Sequence, residues 1–194
     1  MDRKQQRKTL IQRRKNLEQK HLQLAAEQLA GNIANLTHFN TAQRIAGYLI
    51  MPDAGEINPM PTMKLALSLG KQCYVPVLCD KVLRFAAWSE NCELSANRVG
   101  IDEPVVESKD LLMPEELDLV LVPLLGFDQQ CNRLGMGGGF YDRSFAFSIA
   151  TPPPPYLLGV AHDCQLMDDF QTESWDVPLH GVMTARHSYG SIMS

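Results

Sequence analysis

The sequence predicts an α/β protein with a mainly parallel sheet. Apolar runs of strand length alternate along the chain with segments of helical periodicity, a pattern typical of a parallel sheet covered by helices. A cluster of glycines stands between one of these strands and a helix. The chain has 194 residues, of which 45% are apolar, so we expect residues 1–194 to form a single domain around one sizeable core.

Helical periodicity is clearest in the first third of the chain. Arg3, Arg7 and Leu10 have helical spacing, so the two arginines project from one face about one turn apart. An apolar stripe at helical period then follows at Leu22, Ala26, Leu29 and Ile33. A further helix is predicted over residues 62–69, and Gly70 ends it.

The predicted strands are the apolar runs between these helices. They occupy residues 44–51, 72–78, 82–88, 117–123, 156–161 and 182–185, and residues 140–150 begin as a helix. Ligands of parallel α/β sheets bind beyond the carboxyl ends of the strands. We therefore expect the loops that follow residues 51 and 123 to face a ligand.

The loop after the strand at 117–123 contains four glycines in five positions, at Gly135, Gly137, Gly138 and Gly139. Glycine tolerates positive φ and close approach of a ligand, and successive N–H groups at a helix N-terminus form a nest for an anion. Arg133 and Arg143 flank the loop and could neutralise phosphate oxygens. A purely structural turn is the alternative, but each glycine destabilises a fold by roughly 0.5–1 kcal/mol relative to alanine.

Two common phosphate loops do not match this stretch. A P-loop requires a lysine after its last glycine, and no lysine follows Lys109. The dinucleotide-binding fingerprint, if it began at Gly135, would require glycine where Phe140 stands. The sequence thus predicts a different kind of phosphate-binding glycine loop.

Composition limits the partners and the compartment. The net charge of −4 and the pI of about 5.7 argue against broad nucleic-acid binding. The chain lacks an apolar run of about 18 residues and an apolar segment near its charged N-terminus, so neither a membrane span nor a secretory signal is expected. The five cysteines are scattered and form no C-x-x-C pair, which favours reduced thiols in a cytoplasmic protein. We expect a monomer.

Two linked motifs resemble a known signature. The run VPLLGFD, from Val122 to Asp128, precedes NRLGMGGGFYDR, from Asn132 to Arg143. Together they closely resemble the signature of the 5-formyltetrahydrofolate cyclo-ligase family, whose members are also called 5,10-methenyltetrahydrofolate synthetases. The resemblance implies a three-layer α/β/α fold with a mainly parallel sheet, related to sugar-phosphate isomerases and CoA transferases (NagB/RpiA/CoA-transferase-like).

The same resemblance implies a reaction. ATP and Mg²⁺ would be needed to convert 5-formyltetrahydrofolate, with or without a polyglutamate tail, to 5,10-methenyltetrahydrofolate with release of ADP and phosphate. Phosphorylation of the formyl oxygen would make it a good leaving group, and N10 would then close the ring. Such chemistry depends on alignment and on neutralisation of phosphate charge more than on protein acids or bases.

Roles for individual residues follow from the resemblance. ATP is expected at Arg3, Lys4, Arg7, Arg133, Leu134, Gly135, Met136, Gly137, Gly138, Gly139, Phe140 and Tyr141. The residues expected to take part in catalysis are Arg133, Phe140 and Tyr141. The folate is expected at Leu49, Glu56, Met136 and Phe140, and Mg²⁺ at Asp142 and Asp176. His180 stands where the family commonly has a second aspartate, which leaves the metal environment in question.

Three other functions stay open at this point. The chain could be a folate- or nucleotide-binding homologue that has lost the reaction. It could be a sugar-phosphate isomerase or CoA-transferase-like enzyme, which would need no ATP and would use Glu56 as its acid/base carboxylate. A nucleic-acid module built on the basic N-terminus is the weakest alternative, because basic and aromatic residues are not interleaved there.

Overall fold

The computed structural model of the chain describes residues 2–51, 53–97, 100–151, 153–168 and 171–192. Within these ranges the α-helices are α1 (Arg3–Lys15), α2 (Gln19–Ile33), α3 (Thr37–Thr41), α4 (Met60–Ser68) and α5 (Phe140–Ser144). The strands are β1 (Arg44–Ala46), β2 (Gln72–Cys79), β3 (Val82–Ala87), β4 (Leu94–Ala96), β5 (Asp102–Pro104), β6 (Leu119–Pro123), β7 (Gly126–Phe127), β8 (Arg133–Leu134), β9 (Tyr156–Val160), β10 (Gly181–Met183) and β11 (Ser188–Gly190). None of the described helices has the length and apolar character needed to span a bilayer.

The described strands form one central sheet and two small hairpins. The sheet has seven strands in the order β11-β10-β9-β6-β1-β2-β3, and the hairpins are β4-β5 and β7-β8. The five inner strands pair in parallel, whereas the edge strands β3 and β11 are antiparallel to their neighbours. The predicted α/β fold with a mainly parallel sheet is confirmed.

Each face of the sheet supports its own apolar core. Along β6, Leu119 and Leu121 point to the core that α2, α3 and α4 complete. Val120 and Val122 point to the opposite core, where Phe145 packs beside α5. This alternation follows from the two-residue period of a strand. The sheet is therefore covered on both faces, which explains why its inner strands are continuous apolar runs.

Two elements are shorter than predicted. The strand expected over residues 44–51 ends at Ala46, and the helix expected over residues 140–150 is α5 followed by a 3₁₀ turn at Ala146–Ile149. After β1 the chain leaves the sheet, and the Tyr48 hydroxyl donates to the Ile57 carbonyl at 2.7 Å, which ties this segment to the loop that follows it. Phe145 ends α5 because its buried ring packs on Phe85, with centroids 6.0 Å apart.

Candidate active site

A cavity of about 780 Å³ opens at the carboxyl ends of the parallel strands, where ligands of such sheets bind. The segments after β1 and β6 form its walls, and the first turns of α1 lie across it. Of the predicted site residues, those that line it are Arg3, Arg7, Leu49, Glu56, Arg133, Gly135, Met136, Gly137, Gly138, Gly139, Phe140, Tyr141, Asp142 and Asp176. Residues predicted to bind ATP, folate and metal are thus brought into one cavity.

Two predicted ATP contacts lie outside the cavity lining. Lys4 is exposed on α1, one position from Arg3 and therefore on a different face of the helix. Leu134 alternates with Arg133 along β8 and is fully buried against Leu10 and Leu125. Neither placement follows from the motif itself, because the motif does not specify which way each side chain points.

The glycine loop adopts the conformation that its glycines permit. Gly137 has φ +103° and Gly139 has φ +65°, both in the region that side chains disfavour. A Cβ at Gly138 would lie 2.7 Å from the Phe140 ring. Across the described chain, no protein acceptor receives a hydrogen bond from the backbone N–H groups of residues 135–139. The loop therefore presents unpaired donors to the cavity, as an anion nest does.

A hydrogen-bonded turn holds this loop in place. The Asp128 carboxylate accepts from the backbone N–H groups of Gln130, at 3.0 Å, and Asn132, at 2.9 Å, and from the Asn132 side-chain amide at 2.8 Å. The turn connects β7 to β8, in which Phe127 is opposite Arg133. Asp128 and Asn132 of the motif thus have a structural role, which is to place Arg133 and the glycine loop at the cavity.

The predicted phosphate-binding arginine and a predicted metal ligand are paired with each other. Arg133 Nη2 donates to Asp142 Oδ1, and the two side chains are 5% and 17% exposed. Asp142 Oδ1 also accepts from the Val177 backbone N–H at 3.1 Å. The guanidinium lies 5.8 Å from the centre of the Tyr141 ring. Because a guanidinium has five N–H donors, Arg133 keeps donors available for a phosphate.

Helix α1 brings two more arginines to the cavity. Arg3 Nη2 donates to Asp176 Oδ2 at 2.8 Å, and Arg7 Nε donates to the Gly135 carbonyl at 2.9 Å. The helical spacing predicted for this pair therefore places both guanidinium groups beside the glycine loop and the second predicted metal ligand. With Arg133 and Arg143, whose Nη2 donates to the Gly138 carbonyl at 2.7 Å, the cavity lining includes four arginines that could neutralise phosphate charge.

The acidic residues of the cavity are suited to Mg²⁺ that binds together with a phosphate ligand. No group of three or more His, Cys, Asp or Glu side chains suited to a metal occurs within the described ranges. Asp142 and Asp176 nevertheless both line the cavity, and carboxylate oxygens are hard donors. Mg²⁺ is commonly held by one or two carboxylates together with substrate phosphates, without a protein cage. The donor set therefore fits Mg²⁺ that arrives with a phosphate ligand.

His180, which replaces the aspartate common in the family, does not line the cavity. Its Nδ1 accepts a hydrogen bond from the Leu157 backbone N–H at 2.9 Å, and its ring stacks on Tyr156 with centroids 5.0 Å apart. Burial lowers the pKa of His180, with a smaller contribution from His38. The imidazole thus supports β9 from within the fold and leaves the acidic pair of the cavity unchanged.

The predicted folate carboxylate has two protein partners. Glu56 Oε2 accepts from the Met51 backbone N–H at 3.2 Å, and Glu56 Oε1 lies 3.5 Å from Arg14 Nη1. The Glu56 side chain is 14% exposed. Nearby, the Tyr141 hydroxyl is buried and has no hydrogen-bond partner among the described residues. Burial raises the pKa of Tyr141, and Arg133 partly offsets the rise, so the phenol stays protonated and can donate to a ligand.

Sequence reasoning missed much of the apolar wall. Pro76 and Leu78 of β2, Leu83 of β3 and Ile149 all line the cavity, as does the Trp175 indole, which is 63% exposed. These side chains come from separate elements that only the folded sheet brings together. Residues 101–103, on and just before β5, also line the cavity.

The fold and the cavity together define an α/β protein with a glycine-lined cavity at the carboxyl edge of its parallel sheet. The model described as the 5-formyltetrahydrofolate cyclo-ligase family matches residues 1–185, and the chain belongs to this family. It is accordingly an enzyme of the ligase class, as the resemblance implied.

Individual relatives agree with this family. The chain is 35% identical over 176 residues to the 5-formyltetrahydrofolate cyclo-ligase of Escherichia coli, covering 89% of this chain and 94% of the relative. It is 33% identical over 184 residues to that of Haemophilus influenzae, covering 93% and 96%. The solution structure of Aquifex aeolicus 5,10-methenyltetrahydrofolate synthetase is similar with a TM-score of 0.82 and 26% identity, covering 98% of this chain and 93% of that one.

Proposed function

We propose that the chain converts 5-formyltetrahydrofolate to 5,10-methenyltetrahydrofolate in an ATP- and Mg²⁺-dependent reaction that releases ADP and phosphate. Family membership and the names of the relatives support this substrate and product. The observation that carries the ATP dependence is the glycine loop, because its unpaired N–H groups share one cavity with four arginines and Glu56.

We assign the two ligands to different ends of the cavity. We assign the triphosphate to the glycine loop, with Arg3, Arg7 and Arg133 offsetting its charge. The folate would lie toward Leu49 and Glu56, where the carboxylate can accept from the amino and ring N–H groups of a pterin. Met136 and Phe140 lie on the glycine loop between these ends and would contact both ligands. The cavity volume of about 780 Å³ is within the range of small-molecule sites.

The chemistry requires alignment of two substrates. The formyl oxygen attacks the γ-phosphorus of ATP, ADP leaves, and the phosphorylated formyl group becomes electrophilic. N10 then attacks the formyl carbon and loses its proton, and phosphate departs with that proton and the former formyl oxygen. Protein groups hold the reacting atoms in line and stabilise the charge on the transferring phosphoryl group. Mg²⁺, held by Asp142 and Asp176, would neutralise charge on the phosphate oxygens.

The Tyr141 hydroxyl and the Arg133 guanidinium are the side-chain donors that we assign to the reacting centre. Both lie in the cavity, where low solvent access strengthens each hydrogen bond that they make. Phe140 has no hydroxyl, so we assign it a packing role against the ligands. We keep Lys4 and Leu134 as ATP contacts only through their backbone or through solvent, given where their side chains lie.

We further propose that the enzyme acts as a single-domain monomer in the cytoplasm, without nucleic-acid or membrane partners. The thiols of Cys73, Cys79, Cys92, Cys131 and Cys164 are free, which is compatible with a reducing compartment. The acidic pI of about 5.7 disfavours binding to nucleic acid. Size-exclusion chromatography with light scattering would test the monomer directly.

An absorbance assay for methenyl-folate tests the proposed reaction. Purified protein should form 5,10-methenyltetrahydrofolate from 5-formyltetrahydrofolate only when ATP and Mg²⁺ are present, with one ADP released per product. Binding of both ligands without product would instead indicate a non-catalytic homologue. Turnover of a sugar phosphate or a CoA thioester without ATP would indicate an isomerase or a CoA transferase.

A further inference from the structure

Arg14 is a buried arginine whose partner belongs to the cavity. It lies in the last turn of α1, its side chain is 3% exposed, and it does not line the cavity. Its Nη1 is 3.5 Å from Glu56 Oε1, and its Nε has no hydrogen-bond partner among the described residues. A buried charge is stable only when an opposite charge compensates it, so the guanidinium and the Glu56 carboxylate depend on each other.

The other titratable groups near Arg14 do not replace Glu56. His162 is 2% exposed, and burial, with contributions from His21 and Arg14, lowers its pKa to about 4, so it is neutral near neutral pH. Asp163 is already bonded to the Thr184 hydroxyl and the His187 ring. Across the described ranges, Glu56 is the carboxylate that forms an ion pair with Arg14.

The backbone fixes this pair. Gly55 has φ +63°, and a Cβ there would lie 2.7 Å from the Arg14 carbonyl oxygen. The loop that carries Glu56 thus packs directly on the last turn of α1. The second carboxylate oxygen, Oε2, accepts from the Met51 N–H. Each Glu56 carboxylate oxygen therefore has one protein partner. These two contacts fix the orientation of the carboxylate, and with it the direction in which its remaining lone pairs face the cavity.

We propose that Arg14 is a positioning residue, which orients the Glu56 carboxylate for the folate without touching the ligand. This inference rests on the proposed function, because it assumes that Glu56 accepts hydrogen bonds from 5-formyltetrahydrofolate. The proposed role of Arg14 differs from the roles of the other two arginines of α1. Arg3 donates to Asp176, and Arg7 donates to the Gly135 carbonyl of the glycine loop.

The test compares Arg14→Met, Arg14→Lys and the control Arg13→Met, which changes an exposed arginine of the same helix. Calorimetry without nucleotide gives the Kd for 5-formyltetrahydrofolate, and a separate titration gives the Kd for a non-hydrolysable MgATP analogue. Arg14→Met should weaken folate binding about 10- to 100-fold, the usual effect of losing an orienting partner. Nucleotide binding and kcat should stay close to wild type, Arg14→Lys should be intermediate, and Arg13→Met should bind both ligands normally.

Two results would overturn the proposal. One is a wild-type Kd for 5-formyltetrahydrofolate in an Arg14 variant that thermal melting shows to be folded. The other is an equal loss of folate and nucleotide binding, which would indicate general disruption. The variant Glu56→Gln separates this inference from the proposed function. If Glu56→Gln binds folate normally, the folate contact itself is wrong, whereas weak binding by Glu56→Gln and normal binding by Arg14→Met refute only the positioning role.

Discussion

Arg133 illustrates how single residues of the cavity are held before any ligand binds. Its guanidinium is nearly buried and paired with Asp142, and Arg3 is paired with Asp176 in the same way. Arg133 and Arg3, two of the cations assigned to phosphate, are thus each preorganised by an anion assigned to Mg²⁺. A nucleotide that arrives with Mg²⁺ would supply an opposite charge to both members of each pair, so the cavity would stay compensated when it is filled.

Arg133→Ala should reduce kcat by about 10²–10³-fold, because it removes a preorganised donor to the transferring phosphoryl group. It also leaves Asp142 without its cation, so a lower melting temperature is expected. The double variant Arg133→Ala/Asp142→Asn should recover stability without recovering turnover, as measured by thermal melting and the methenyl-folate assay. Near-normal activity in Arg133→Ala would remove Arg133 from the site.

Tyr141→Phe should separate function from stability. The Tyr141 hydroxyl has no protein partner among the described residues, so its loss should leave the melting temperature nearly unchanged. Turnover should fall by roughly 10-fold or more if that hydroxyl donates to the reacting centre. Tyr48→Phe is the matched control, because its hydroxyl bonds to the Ile57 carbonyl, and its loss should cost about 1 kcal/mol of unfolding free energy. Wild-type turnover in Tyr141→Phe would contradict the assignment.

At the scale of elements, α1 is the part of the chain that connects the subsites. Its residues contact the Asp176 segment, the glycine loop and the loop of Glu56 through Arg3, Arg7 and Arg14. At Gly55 the loop of Glu56 approaches the backbone of α1 so closely that a Cβ would lie 2.7 Å from the Arg14 carbonyl oxygen. Displacing α1 at this point should therefore disturb the cavity as well as the fold.

A comparison of the variants Gly55→Ala and Gly70→Ala tests this contact. Both glycines have positive φ, +63° and +76°, but only at Gly55 would a Cβ meet a neighbour, since nothing lies within 4 Å of the site at Gly70. Gly70→Ala should cost about 1–2 kcal/mol through backbone strain alone. Gly55→Ala should cost more and also raise the KM for 5-formyltetrahydrofolate. Equal losses in chemical denaturation, with unchanged KM, would show that α1 does not depend on this approach.

The elements also show where sequence-based prediction succeeds. The position of Arg133 and of the glycine loop at one cavity was predictable, because these residues are contiguous and clustered glycines indicate positive φ or a close approach of a ligand. The early ends of β1 and α5 were not predictable, because they coincide with tertiary contacts of Tyr48 and Phe145. The hydrophobic periodicity of a short stretch of sequence does not predict such tertiary contacts.

At the scale of the whole molecule, a buried histidine links stability to pH. Burial, with smaller contributions from His21 and Arg14, lowers the pKa of His162 from 6.5 to about 4, and the nearby Asp163 carboxylate and Glu56 backbone offset this only in part. In the unfolded chain the imidazole binds a proton below its ordinary pKa, whereas the folded state resists protonation until a much lower pH. The contribution of His162 to the free energy of unfolding is therefore fully present above the pKa that the imidazole has in the unfolded chain. It is lost as the pH falls toward the pKa that the imidazole has in the folded state.

His162→Leu should reduce the acid sensitivity of the fold. Between about pH 7 and about pH 4, protonation of His162 in the unfolded state should cost the wild-type protein roughly 3 kcal/mol. Urea denaturation at several pH values should show a smaller loss in the variant, while His180 continues to contribute in both proteins. An identical pH dependence would mean that His162 is not held neutral in the native state.

The arrangement of segments in the whole molecule also explains why two features of the site could not be predicted from the sequence. Arg14 lies in a charge run, and such runs are usually solvated, so its burial against Glu56 was not foreseeable. His180 stands in the sequence where the family commonly has an aspartate, but its ring accepts from the Leu157 N–H of β9 and does not line the cavity. Both cases depend on which segments the sheet brings together, and one sequence alone does not contain that information.

The central claim is that the backbone N–H groups of residues 135–139 bind the phosphates of ATP. Amide chemical shifts, followed during titration with a non-hydrolysable MgATP analogue, measure this directly. We predict large shifts for these amides, saturating at the Kd found by calorimetry, while the amide of Gly70 stays unchanged. Saturable nucleotide binding that leaves the amides of the glycine loop unshifted would contradict the account.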